Sequence, residues 1–109
     1  MKGGEFIFRK VLFHVNVRNG ETNQIASFGL DPLLSVKEAI NFIEHCKFRS
    51  TQYNIQTRAP ENVTPNHDMF LVTNSSNAQG GVKMDYNRTL ASYRLKPEVI
   101  SYFSLKSPK

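Results

Sequence analysis

Three histidines, a single cysteine and the Gly80-Gly81 pair are the features with which this chain could do chemistry. An active site needs converging ionisable groups, and a metal site needs ligands spaced to close around one ion. His14 falls in an alternating strand pattern, His45 in a helical one and His67 in a polar loop, so no common site is expected and each reads as a surface histidine. His45 and Cys46 are adjacent, and neighbours on a helix point about 100° apart, which is wrong for two ligands of one ion. Cys46 ends an apolar stripe and reads as a small core residue. Gly80-Gly81 is not followed by Lys-Ser or Lys-Thr and opens no helix, so it does not form a phosphate loop. The chain therefore reads as non-catalytic, with no cofactor and no metal.

Its other chemical resource is positive charge. Lys and Arg number 14 against 9 Asp and Glu, a net +5, which favours acidic partners. These charges are scattered, without a block of about five or six of one sign. Lys47, Arg49 and Arg58 form one loose group suited to anionic membrane lipid, worth about 1 kcal/mol each near such a surface. Nucleic acid is disfavoured, because no strand face shows exposed aromatics interleaved with Arg and Lys. One cysteine cannot make an internal disulfide, and no apolar run approaches the ~20 residues of a membrane span. A cytoplasmic, reducing setting is the simplest expectation.

These side chains need elements to hold them. A length of 109 residues with 39% hydrophobic content fits one globular domain, which at this size hides roughly two-thirds of its unfolded surface. Residues 1–10 read as an extension or cloning remnant, 11–106 as the domain and 107–109 as the start of a linker. Val11, Phe13, Val15 and Val17 alternate with Leu12, His14 and Asn16, the period of a half-buried strand. Arg18-Asn19-Gly20-Glu21 follows, and Asn-Gly suits the positive φ of a tight hairpin. A second strand is expected from Thr22 to Leu30 with Phe28 and Leu30 inward, ended by Asp31-Pro32.

Ser35-Val36-Lys37-Glu38 fits a capping box. Val36, Ala39, Ile40, Ile43 and Cys46 then repeat at helical period, which predicts Lys37, Asn41, Glu44 and His45 facing water and Phe42 on the flank. Phe48 to Asp68 is polar and reads as a long mobile loop. Met69–Val72 and Val82–Met84 are short strands separated by a Ser/Asn/Gly turn, Thr89–Leu95 is a one-turn helical corner, and Val99–Lys106 is the last strand. The order predicts an α+β β-grasp: a mixed sheet with one main helix packed on one face.

The corner Arg88-Thr89-Leu90-Ala91-Ser92-Tyr93-Arg94-Leu95 followed by Val99–Leu105 resembles the end of ubiquitin-like domains, where Thr-Leu-x-x-Tyr precedes the last strand. Asp31-Pro32 ahead of the capped helix is similar to the ubiquitin pattern. Within that superfamily, the runs Asn66–Val72, Gly81–Asp85, Arg88–Lys96 and Tyr102–Lys106 resemble, in order and spacing, the N-terminal ubiquitin-like subdomain that precedes the talin FERM module. The likeness spans about Val11 to Lys109. It departs at Val82-Lys83-Met84, where a talin-like chain usually carries Trp.

The resemblance implies a cytoskeletal or adhesion adaptor, linked to actin and acting at the inner face of the plasma membrane, whose partners are a Ras/Rap-type small GTPase and an adjacent FERM subdomain. Family members bind the GTPase through basic residues on the second strand and first helix. The aligned positions here, Ala26 and Asn41, are uncharged. Arg9, Lys10 and Arg18 on or beside the first hairpin and Lys37 on the first helix turn are the remaining basic candidates, with Phe8, Leu12 and Ile25 as an apolar rim. The mode expected is pairing of the second-strand edge with the GTPase's own edge strand, with Lys37 beside it. Conjugation as a ubiquitin-like modifier is disfavoured, because the chain ends Lys106-Ser107-Pro108-Lys109 without Gly-Gly.

Overall fold

The first and last strands lie side by side in the middle of the sheet. The structure, a computed structural model, describes residues 12–53, 63–72, 81–96 and 98–108. In chain order these form β1 (Phe13–Asn19), β2 (Ile25–Leu30), α1 (Val36–His45), β3 (Thr51–Gln52), β4 (Asp68–Val72), β5 (Val82–Lys83), a 3-10 corner (Leu90–Tyr93) and β6 (Ser101–Lys106). The sheet order is β3-β2-β1-β6-β4-β5. β1 runs parallel to β6 and β2 parallel to β3, while the other pairs are antiparallel. One helix against a six-stranded mixed sheet is the expected α+β, ubiquitin-like β-grasp layout.

Strand alternation builds the core. Phe13, Val15 and Val17 of β1, Ala26, Phe28 and Leu30 of β2, Met69 of β4, and Phe103 and Leu105 of β6 join Val36, Ala39, Ile40, Phe42 and Ile43 of α1 in one buried cluster. Each large side chain fully buried there contributes about 1.5–3 kcal/mol. The helix starts as expected: Glu38 N donates to Ser35 Oγ (3.1 Å) and Ser35 N to Glu38 Oε1 (2.9 Å), closing a capping box. Phe42 is core rather than flank, edge-on to Phe28 (6.4 Å) and Tyr53 (5.4 Å).

The strand limits differ from those expected. Val11 lies outside the described residues, and β1 continues to Asn19 because Asn19 N still donates to Gln24 O (2.8 Å). Thr22–Gln24 therefore belong to the hairpin loop rather than to β2. The positive φ in that loop is at Asn23 (63°). Gly20 is required for another reason: its N–H donates to Leu105 O (2.7 Å), and a Cβ there would meet the same oxygen at 2.9 Å. β6 begins at Ser101, since Val99 N closes a turn onto Lys96 O (3.2 Å) and Val99 and Ile100 stay exposed.

The polar stretch 48–68 is pinned at both described ends, against the expectation of a mobile loop. Lys47 (φ 55°) and Phe48 (φ 57°) are successive left-handed residues that stop α1 and turn the Phe48 ring into the core. Thr51–Gln52 then pair with Phe28–Gly29, and Tyr53 N donates to Gly29 O (2.6 Å). At the other end, Asn41 Nδ2 donates to Val63 O (2.7 Å) and Asn66 N to Glu44 Oε2 (2.8 Å). Asn41 and Glu44 thus face this segment instead of water, and Asn41 is buried. The turn expected from Thr73 to Gly81 lies, except for Gly81, outside the described residues.

Candidate interaction surface

The helix covers one face of the sheet, and among the described residues no helix covers the other, which is called the open face below. Pleat alternation and register place His14, Asn16 and Arg18 of β1, Ile25, Ser27 and Gly29 of β2, Tyr102, Ser104 and Lys106 of β6, and Phe70 of β4 on that open face. Arg18 and Ile25 are direct cross-strand partners at its hairpin end. Ile25 is 65% exposed, an apolar side chain standing in water. The Arg18 guanidinium is steered by Asn23, whose Oδ1 accepts from Nη2 (2.6 Å) and Nε (3.2 Å). Ser27 Oγ bonds Asn16 Oδ1 (2.8 Å), tying β2 to β1 across the same face.

Among the described residues, depressions indent this surface at two places. One, of about 130 Å³, is walled by Asn16, Arg18, Ile25, Val72, Tyr102 and Ser104. The other, an open groove of about 540 Å³, runs past His14, Ser27, Gln52, Glu98 and Ile100. Both include Asn16. Beyond them, Lys106 Nζ sits 5.1 Å from the Phe70 ring centre, a cation over an aromatic face on the sheet itself.

The expected second-strand edge is only partly available. β3 pairs with Phe28 and Gly29, and Ser50 Oγ accepts from Ser27 N (3.0 Å). Among the described residues, β2 is therefore an outer edge only at Ile25, past the end of that ladder. Lys37 is half-buried in the first turn of α1. The first turn of α1 bonds to the segment just before the corner: Val36 N donates to Arg88 O (2.8 Å) and Lys37 N to Tyr86 O (3.1 Å). Arg18 and Ile25 stand on the sheet face opposite the helix that carries Lys37. Among the other candidates, Lys47 and Arg49 are exposed and Leu12 is half-buried, whereas Phe8, Arg9, Lys10 and Arg58 lie outside the described residues.

His14 and His45 are exposed as expected, but His67 is not a surface histidine. Its Nδ1 lies 2.7 Å from Glu44 Oε2, its Nε2 3.6 Å from Glu21 Oε1, and its ring is edge-on to Phe48 at 5.7 Å. These contacts join α1, the hairpin loop and the approach to β4. No local pattern singles out His67 or Glu44, since they meet across more than twenty residues of chain. Among the described residues, no group of three or more His, Cys, Asp or Glu could hold a metal ion. Nor is any described helix long and apolar enough to cross a membrane.

Among the described residues, two groups have displaced pKa values. Cys46, at the C-cap and half-buried against the core, has its thiol pushed up by burial. Tyr86 is pushed up to about 12, first by burial and then by its hydrogen bond to Asp68, with the charges of Asp68 and Glu44 adding to it. The chain matches no protein-family model and no curated protein.

Proposed function

We propose that this chain is a non-catalytic, ubiquitin-like interaction module of a talin-like cytoskeletal or adhesion adaptor, recruited in the cytoplasm by a GTP-loaded Ras/Rap-type small GTPase. The sequence resemblance motivates the family, and the parallel β1–β6 pair with the Thr89–Tyr93 corner is compatible with it. The observation that carries the reading is the Arg18–Ile25 pair. A steered guanidinium stands beside an exposed aliphatic side chain, at the point where β2 runs past β3. GTPase switch regions are acidic, so Arg18 speeds encounter and fixes orientation, and Ile25 adds apolar contact. Main-chain groups at Ile25 are the place for strand pairing.

Calorimetric titration with a Rap protein carrying a GTP analogue, and separately GDP, tests this. Binding confined to the GTP-analogue form is expected. Equal affinity for both forms, or none for either, overturns it. A second reading, a scaffold subdomain packing against a FERM domain with weak acidic-lipid contact, draws on Lys47 and Arg49, which the left-handed turn throws outward on either side of buried Phe48. Sedimentation with anionic vesicles above that with neutral vesicles is expected under this reading. No difference eliminates the lipid contact.

A further inference from the structure

The far edge of the sheet carries a second recognition feature. β5 is the terminal strand there, and Met84 N donates to Met69 O (2.9 Å). With Phe70 opposite Lys83 and Leu71 opposite Val82, that bond makes 69–84 and 71–82 the hydrogen-bonded pairs. The N–H and C=O of Lys83 therefore point outward, away from β4. Lysine often guards such an edge. Here Lys83 Nζ is drawn to Asp68 Oδ2 (3.5 Å) on the open face, and Val82 beside it is 59% exposed.

A groove of about 540 Å³ runs from this edge to the corner, past Lys83, Asp85, Tyr86, Arg88 and Tyr93. The Arg88 guanidinium lies 3.9 Å from the Tyr93 ring centre, and Tyr93 is itself held by Asp85 N donating to its hydroxyl (2.7 Å). Arg88 Nε donates to Ser92 Oγ (3.1 Å) and Nη2 to Ser92 O (2.9 Å). Those two bonds use the Nε–Nη2 side of the fork and leave the Nη1–Nη2 end, which suits a bidentate carboxylate. The groove's own acids are engaged: Asp68 by Lys83 and Tyr86, Asp85 by Asn87 N (2.9 Å). Among the described residues no carboxylate pairs with Arg88.

We propose that the β5 edge and Arg88 form a second docking site, for an extended peptide bearing a carboxylate. The peptide adds a strand through Lys83 and seats an Asp or Glu on the open end of the Arg88 fork. Stacking and the Ser92 bonds hold the guanidinium in place beforehand, which lowers the ordering cost of binding. This site uses the opposite edge of the sheet from the Arg18–Ile25 pair and does not depend on the GTPase reading.

The test is fluorescence anisotropy of a labelled peptide of alternating Val and Glu against the intact chain. Saturable binding is expected, about tenfold weaker for the Val/Gln counterpart and for Arg88→Lys, which keeps the charge but loses the fork. Lys83→Pro removes the outward donor without touching the β4 ladder and is expected to abolish binding, as is N-methylation of the peptide on its pairing face. The methylated peptide probes the edge independently if Lys83→Pro does not fold. Arg18→Glu is expected to leave peptide binding unchanged. Absence of saturable binding, indifference to Glu→Gln or N-methylation, unchanged affinity in Arg88→Lys, or loss of binding in Arg18→Glu overturns the proposal.

Discussion

Tyr86 Oη lies 2.9 Å from Asp68 Oδ1, so a residue just before the corner is fastened to the first residue of β4. The same hydroxyl is 2.9 Å from His67 O, and its single proton serves one acceptor at a time. This contact links the end of the polar stretch to the segment that receives the first turn of α1.

The Tyr86 phenol is held neutral in the folded state, with its pKa raised from 10 to about 12. A raised folded value means that its contribution to stability is complete below pH 10 and is lost as pH climbs from 10 towards about 12. Ultraviolet titration of tyrosinate should show a step that lags behind the ordinary value of 10. Tyr86→Phe should remove that lag, flatten the fall in stability over this window, and cost about 1 kcal/mol at neutral pH through the lost hydrogen bond.

Asn41→Ala leaves Val63 O without its donor and should cost about 1–3 kcal/mol in denaturant unfolding. Glu44→Gln keeps an acceptor for Asn66 N but removes the charge facing His67, so a smaller loss is expected. Hydrogen exchange at the Asn66 amide should accelerate in a Glu44→Ala variant. Unchanged protection there would mean that the 63–67 segment is held by its other contacts.

Gly20→Ala sets a methyl group against the main-chain oxygen of Leu105, an atom that cannot swing aside. Overpacking of this kind costs about 1–3 kcal/mol. The expected signature is a lowered urea midpoint with an unaltered slope, because the hairpin loop shifts locally while the surface exposed on unfolding stays the same.

Arg18→Glu and Ile25→Asp should each weaken binding of the GTP-loaded GTPase by about 1–3 kcal/mol while leaving stability nearly unchanged, since both side chains project from the open face. Lys37→Glu discriminates between two shapes of interface. A matching loss would show a surface wrapping round the sheet edge to α1, and wild-type affinity would confine it to the hairpin side.

Local pattern carried much of the fold. Alternation through Val15 and Val17 and again through Phe103 and Leu105, the Ser35–Glu38 box, and the apolar stripe from Val36 to Ile43 are short-range signals, and each element formed where its period indicated. Strand ends were less legible, because a ladder bond such as Asn19 N to Gln24 O depends on the partner strand. β3 had no signal at all: Thr51 and Gln52 are polar and exposed, and become a strand only because the left-handed turn at Lys47–Phe48 delivers them to the outside of β2.

The amino-acid order alone determined one helix, five of the six strands, a basic surplus, and the pairing of a β-grasp pattern with a Thr89–Tyr93 corner. Tertiary structure decided which groups share a surface. It brought Arg18 beside Ile25, joined the main chain of Lys37 to Tyr86, turned Asn41 and Glu44 onto a distant segment, and set Arg88 over Tyr93 near β5, the last strand in the sheet order. Periodicity reports only whether a side chain meets the core or water. Which neighbour it meets depends on contacts between residues far apart in the chain, and those exist only once the sheet order is set.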